Sequence, residues 1–484
     1  MNTIQRVFKN TAALFIAQGF TLASQMVIAI LIANRMGDDE FGGYSAALAY
    51  MLFFLYGTSL GYTTVVIREV SRNKSLAGKY YGNVIAARLL LMGIGYIILV
   101  LIVHLLGDSL GLVPDTKFFI YFLALYAASI LIGDIHRAIF RAFEKMEYET
   151  LTVIIREALR TGLGTIAIVV YEDLRLLVVA FLIPGFLDLL ISMYLCRKNF
   201  TKPRLEIDWK FQWQTLKIAV PLGMLTVFGV INARADTVML TAWEDREVVG
   251  WYNAAVMFSF GLKPLQLMFM NALLPLASVY YISSRDMLKI LYEKAMKIMI
   301  IIGLPMAVGL TMLADRFILL LFGTEFEKAD IALQILAWDI FLVYMGGPMA
   351  QILVAMNRQN QMAKMVAAGA ALNVAVNFVL IPHYSYTGAA VATLISGVAI
   401  GAVYFYLVSK HLTLLPIHKL LIPPLIAGTA MAGFIHLCRD LNLIIIIVCS
   451  VVIYFAMLYV ARGVSKDDIE MIKQLRQRPV SPQL

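Results

Sequence analysis

The chain has 484 residues, 61% hydrophobic and 15% charged, with a mean hydropathy of +0.80; soluble domains are roughly half apolar and about a quarter charged. That excess excludes a soluble globular enzyme. Three cysteines without paired spacing, Cys196, Cys438 and Cys449, give neither a disulfide scaffold nor a cysteine metal site. The formal charge of +9, from 40 Lys+Arg against 31 Asp+Glu, reads as membrane orientation and not as nucleic-acid binding, because basic residues gather in the cytoplasmic loops of membrane proteins.

A helix needs about 20 apolar residues to cross ~30 Å of hydrocarbon. In chain order the windows that qualify are 11–33, 42–67, 83–106, 118–139, 151–171, 174–196, 215–240, 248–279, 296–314, 331–354, 363–382, 387–409, 419–438 and 442–461. They are too long for strands and do not alternate with period two, so the expected fold is all-α, a polytopic bundle of fourteen transmembrane helices. The first window lacks a signal peptide's short apolar core and small-residue cleavage site, and is expected to stay in the mature protein. With residues at span ends counted in the adjoining loop, 28 Lys+Arg fall on the side of the amino terminus and 7 on the other, while Arg88, Arg156, Arg160, Arg234 and Lys263 lie inside spans. This asymmetry places both termini in the cytoplasm of a cell-membrane protein.

The longest polar stretch follows six spans, so the expected organisation is a six-helix lobe over 1–200, a cytoplasmic linker over 201–214 and a second six-helix lobe over 215–410. Two further spans over 411–461 and a cytoplasmic tail over 462–484 complete it. The tail's stretch 464–476 is amphipathic and suits either the membrane surface or solvent. Gly42-Gly43-Tyr44-Ser45-Ala46-Ala47 opens span 2 and Gly250-Trp251-Tyr252-Asn253-Ala254-Ala255 opens span 8, each after an acidic loop and 208 residues apart. Ala142 to Tyr148 and Ala355 to Gln361 match at an offset of 213. Six intervening spans preserve orientation, so the copies read as a parallel repeat, the geometry of transporters whose halves rock about a central site. No phosphate-binding glycine loop, zinc signature or soluble catalytic domain is present, so neither an enzyme nor a cofactor is expected.

A charged residue at mid-helix costs ~2.5–3.5 kcal/mol on insertion scales, so such residues face a partner or a wet cavity. Lys263 lies deepest, about fifteen residues into span 8, and Pro264 beside it frees a backbone carbonyl; it is the first candidate for an anion contact, the alternative being a buried acidic partner. Arg234 and Asp236 diverge by about 200° on span 7, so Arg234 is the second cation candidate. Arg156 and Arg160 share a face of span 5 as a cationic entrance, unless Glu157, three residues before Arg160, ties that arginine up. Asp188, Asp236 and Asp339 are the candidate ion-coupling carboxylates. Arg88 is expected to snorkel from near the end of span 3, and Asp134 with Arg137 to form a helix ion pair. Gln18, Thr21 and Gln25 line one face of span 1, and Asn373 and Asn377 one face of span 11. Both faces suit either sugar hydroxyls or contacts between helices.

Span 2 ends Gly61-Tyr62-Thr63-Thr64-Val65-Val66-Ile67-Arg68-Glu69-Val70-Ser71-Arg72. With FKNTAALFIAQG in span 1, MGDDEFGGYSAA, RAFEKMEY before span 5 and the Gly388 to Thr393 segment, this chain resembles the polysaccharide-transporter, or oligosaccharide flippase, family of the multidrug/oligosaccharidyl-lipid/polysaccharide exporter superfamily. The resemblance implies alternating access and movement of a polyprenyl-(pyro)phosphate-linked oligosaccharide to the external leaflet, for cell-surface glycan biosynthesis. With no ATPase module in the sequence, an ion gradient or the membrane potential is the expected energy source, a proton or sodium ion the expected coupling partner, and glycan-assembly enzymes the expected associates. Cation-coupled multidrug exporters of the superfamily commonly have twelve spans. Peptidoglycan-precursor flippases share the fourteen, but their cationic first span is here replaced by Gln18 and Gln25.

Overall fold

A computed structural model describes residues 3–202 and 207–463; linker residues 203–206 and the amphipathic tail lie outside the described residues. Its helices are α1 (Thr3–Ser59), α2 (Tyr62–Arg72), α3 (Ala77–Leu105), α4 (Pro114–Ala142), α5 (Met146–Val169), α6 (Leu174–Ala180), α7 (Leu182–Asn199) and α8 (Trp209–Trp243). They continue as α9 (Arg246–Ser283), α10 (Arg285–Met312), α11 (Ala314–Phe322), α12 (Ala329–Ala355), α13 (Gln359–His411), α14 (Ile417–Leu437) and α15 (Leu443–Val460). No strand occurs among the described residues. Among the described residues, eleven stretches are long and apolar enough to cross a membrane. Gly37 (φ 83°) breaks α1 in two and Ser385 (φ 54°) breaks α13 in two. The charged helix α5 supplies the remaining span, which makes fourteen. At Gly37 the left-handed backbone requires a residue without Cβ, which is why an acidic turn can interrupt an otherwise apolar run there.

The chain packs as two compact units, the first formed by residues 1–257, 319–329 and 366–396, the second by 258–318, 330–365 and 397–484. The division does not follow the linker. In the first unit, Val65, Val66, Tyr81, Ile139 and Phe140 form a buried core shared by α2, α3 and α4. In the second, Tyr292, Met296, Ile300, Ile352 and Leu353 join α10 to α12, while Ala427, Met431, Tyr454 and Leu458 join α14 to α15. Lipid tails are as apolar as leucine, so such helices associate by close packing and polar contacts and gain little from leaving water.

Backbones approach closely where the two copies of the sequence repeat meet inside the first unit. A Cβ on Gly42 would collide with the carbonyl of Arg246 and the amide of Gly250, and a Cβ on Gly250 would collide with the carbonyl of Asp38. The contact is reciprocal between positions that correspond under the 208-residue offset, as a twofold relation between the copies demands. Around it the acidic turn after Gly37 is clasped by α9. Arg246 lies 3.1 Å from both Asp39 and Glu40, and the Trp251 indole donates to Asp38 at 2.7 Å. Both glycines meet backbone, which cannot yield as a flexible side chain would, so Gly42→Ala and Gly250→Ala should each destabilise the protein by about 1–3 kcal/mol. Thermal unfolding of detergent-purified protein measures this. Gly93→Ala, where an added methyl meets nothing within 4 Å, should leave the midpoint unchanged.

Candidate functional site

Apart from Glu149, which pairs with Arg141 between α4 and α5, buried charges among the described residues gather in three places. The largest cluster joins α3, α4, α5 and α7 in the first unit. Arg137 donates to Asp188 Oδ2 at 2.8 Å, and Arg156 reaches the same oxygen at 3.5 Å. Arg156 also donates to Glu157 Oε1 through Nε at 3.0 Å and Nη2 at 2.8 Å, and Arg160 lies 3.0 Å from Glu157 Oε2. At the other end Arg88 lies 3.5 Å from Asp134 Oδ2, and Arg137 lies 3.9 Å from Asp134 Oδ1. The contacts therefore run Arg88, Asp134, Arg137, Asp188, Arg156, Glu157, Arg160, alternating in sign and ending on a cation at each end. Alternation is what makes the burial tolerable, since an unpaired charge here would lose its water without replacement.

This network revises several sequence expectations. Arg156 and Arg160 do share a face, but Glu157 sits between them; Arg160 also donates to Ser24 on α1 at 3.0 Å and stacks 5.7 Å from the Phe181 ring. Arg88 does not snorkel. Its side chain is 0% exposed and donates to the Leu131 carbonyl, to Thr63 Oγ1 at 2.6 Å and to Ser59 Oγ at 3.5 Å. The physical reason is the break between α1 and α2 at Leu60 and Gly61, both with positive φ, which places Ser59 and Thr63 within reach as internal partners. Asp188, a candidate ion-coupling carboxylate from the sequence, is held by two arginines. The i,i+3 spacing of Arg137 and Asp134 is the sequence signal that Arg137 points inward.

The second place is the inner face of α8. Asp236 accepts from the Tyr252 hydroxyl at 2.5 Å, from its neighbour's Thr237 amide at 2.6 Å and from Thr393 on α13 at 3.3 Å. Arg234 donates to Asn253 at 3.2 Å. The two charges thus engage different residues of α9, in keeping with their divergence on the helix.

The third place lies in the second unit. Lys263 Nζ donates to Asp339 Oδ2 at 2.8 Å, joining two residues that the sequence had assigned to separate roles. Gly397 makes room for the carboxylate, because a Cβ there would stand 2.8 Å from Asp339 Oδ1. The carbonyl of Leu262, next to Lys263 and Pro264, accepts from the Tyr344 hydroxyl at 2.9 Å. Within the pair exposure is unequal: the Lys263 side chain is 36% exposed and that of Asp339 6%. The cation therefore has open space on one side and a fixed carboxylate on the other.

Of the neutral candidates, Gln18 and Gln25 are exposed on α1. Asn373 and Asn377 are fully buried on α13, joined by a 3.0 Å hydrogen bond. No group of three or more His, Cys, Asp or Glu side chains among the described residues could hold a metal ion.

Broken membrane-spanning helices occur in secondary transporters, and solved transporters resemble this chain in fold. The chain is similar to the structure described as "Lipid II flippase MurJ, inward closed conformation", with a TM-score of 0.77 and 16% identity over 97% of this chain and all of that one. It is similar also to an inward-facing multidrug resistance MATE family transporter of the MOP superfamily, with a TM-score of 0.67 and 15% identity over 81% of this chain and 95% of that one. At such identities the likeness is one of fold.

Sequence carries the assignment further. The chain is 24% identical to the lipopolysaccharide biosynthesis protein WzxC of Escherichia coli strain K12 over 365 residues, 74% of this chain and 70% of the relative. The family described as "Polysaccharide biosynthesis protein" matches residues 7–280, and that described as "Lipid II flippase MurJ" matches residues 150–467. The chain belongs to the polysaccharide biosynthesis protein family.

Proposed function

We propose that this protein is a flippase that carries a polyprenyl-(pyro)phosphate-linked oligosaccharide from the cytoplasmic to the external leaflet of the cell membrane by alternating access. The observation that carries this reading is that two family descriptions, one of polysaccharide biosynthesis and one of lipid flipping, each cover more than half of the chain. Translocation requires no covalent chemistry. It requires a wet, polar route for sugar and phosphate through a body whose outer surface stays in lipid. The two repeat copies act as the moving halves about the Gly42–Gly250 contact, with the linker over 201–214 as their joint and both termini in the cytoplasm.

In this mechanism Lys263 is the phosphate contact and Asp339 the coupling carboxylate. An ammonium group paired at 2.8 Å can exchange its carboxylate for a phosphoryl oxygen of equal or greater charge. A proton or sodium ion on Asp339 favours that exchange by neutralising the competitor. Arg234 is a second anion contact, Arg156 and Arg160 give the first unit its positive character, and Gln18 and Gln25 meet sugar hydroxyls along the route, while the buried Asn373–Asn377 pair serves as a contact between helices. Asp188 and Asp236 are the remaining candidates for ion coupling.

The reading in which a cation-coupled exporter moves small amphipathic drugs rests on the MATE fold likeness. Transport into vesicles separates the two. Movement of a lipid-linked sugar with no drug/proton exchange is the expected outcome, and drug/proton exchange without sugar-lipid movement would reverse the assignment.

A further inference from the structure

We propose that the carboxylate of Asp134 occupies a built-in anion site, and that a phosphoryl group of the carrier lipid takes its place there during transport. The proposal rests on the flippase reading and adds a binding site in the first unit, separate from Lys263. Four observations point to it. The buried chain from Arg88 to Arg160 holds four arginines and three carboxylates, so it retains one positive charge after every internal pairing. Asp134 is its most accessible member: its side chain is 25% exposed, against 10% or less for the other six.

The third observation is the cradle itself. Asp134 Oδ2 accepts from the Thr63 hydroxyl and lies 3.5 Å from Arg88, while Oδ1 faces Arg137 at 3.9 Å. Two guanidinium groups and a hydroxyl converging on one two-oxygen anion is the recognition chemistry of a phosphate. Thr63 is also the second residue of α2, whose amino-terminal end carries no side-chain cap. The leading amides of a helix have no intrahelical acceptor and present partial positive charge. Fourth, Arg88 Nε is buried without a hydrogen-bond partner, so the arginine holds a donor in reserve. A tetrahedral anion offers more acceptor oxygens than a carboxylate and can use it. Thr63 stands nine residues before Arg72 at the far end of α2, which at 1.5 Å per residue puts this cradle about 14 Å from that end, a little under half the thickness of the hydrocarbon core. A phosphate there would be midway through its passage.

The cradle makes a definite prediction, because removing the internal competitor should strengthen binding of an external one. Full-length protein in nanodiscs is titrated with farnesyl phosphate, with inorganic phosphate and with uncharged farnesol, reading affinity and the shift in thermal midpoint. Asp134→Asn should bind farnesyl phosphate at least tenfold more tightly than the wild type, and adding Arg88→Gln should abolish that gain. A larger gain for farnesyl phosphate than for inorganic phosphate assigns the site to the lipid headgroup, and an equal gain assigns it to free phosphate; farnesol should gain nothing. Thr63→Val, which alters no charge, should weaken farnesyl phosphate binding about threefold, and it stands as the test should Asp134→Asn not fold. Unchanged affinity in Asp134→Asn and in Thr63→Val overturns the proposal. Failure here alongside intact lipid-linked sugar flipping by the wild type removes this site and leaves the flippase reading standing.

Discussion

Lys263→Ala is expected to reduce export of the lipid-linked glycan about ten- to hundredfold while folded protein still accumulates in the membrane. The magnitude follows from the loss of one hydrogen bond to a charged group, ~1.5–3 kcal/mol, at about 1.4 kcal/mol per factor of ten. The separation from folding follows from exposure: Lys263 is 36% exposed, so water can reach the gap that alanine leaves. Two readings of the pair make opposite forecasts for the double variant Lys263→Ala with Asp339→Asn. If the pair only holds helices α9 and α12 together, neutralising both members restores yield and export alike. If Lys263 contacts substrate, yield recovers and export does not. The second outcome is expected, measured as surface glycan in cells that lack their own flippase, with membrane protein quantified in the same cells.

Asp188→Ala should be the most damaging single change to stability. Asp188 stands at the middle of the seven-residue chain and accepts from Arg137 and Arg156 through one oxygen, and its side chain is 0% exposed. Deleting it leaves four arginines against two carboxylates. Breaking a buried pair by removing one partner costs about 3–5 kcal/mol, enough to lower the thermal midpoint sharply or to prevent accumulation. Asp188→Asn, which keeps an acceptor oxygen but not the charge, should fall between the two. Size-exclusion profiles and thermal unfolding of purified protein measure the series. Wild-type stability in Asp188→Ala would mean that the arginines find other partners and that the chain is not cohesive.

Span count and helix type were legible in the sequence because hydrocarbon thickness sets a length that apolar windows either meet or miss. The repeat was legible through Gly42 and Gly250, since backbone contact tolerates only glycine and leaves a recognisable residue in each copy. Pairing between distant helices was not legible. Nothing in the local sequence relates Lys263 to Asp339, 76 positions away, or Asp188 to Arg137, 51 positions away. Arg88 was misjudged for a related reason: distance from a span end suggests snorkelling, whereas the broken backbone at Leu60 and Gly61 supplied inner partners that periodicity does not reveal. Intramembrane charge thus announced that partners exist, and the fold identified them.

The most direct measurement is flipping of a defined polyprenyl-pyrophosphate-linked oligosaccharide in liposomes holding only the purified protein, followed by access of a membrane-impermeant glycan-modifying enzyme to the opposite leaflet. The account predicts protein-dependent exposure of the sugar-lipid, accelerated by an ion gradient and lost in Lys263→Ala. Failure of folded wild-type protein to move it under both gradient and voltage, or full activity of Lys263→Ala, would contradict it.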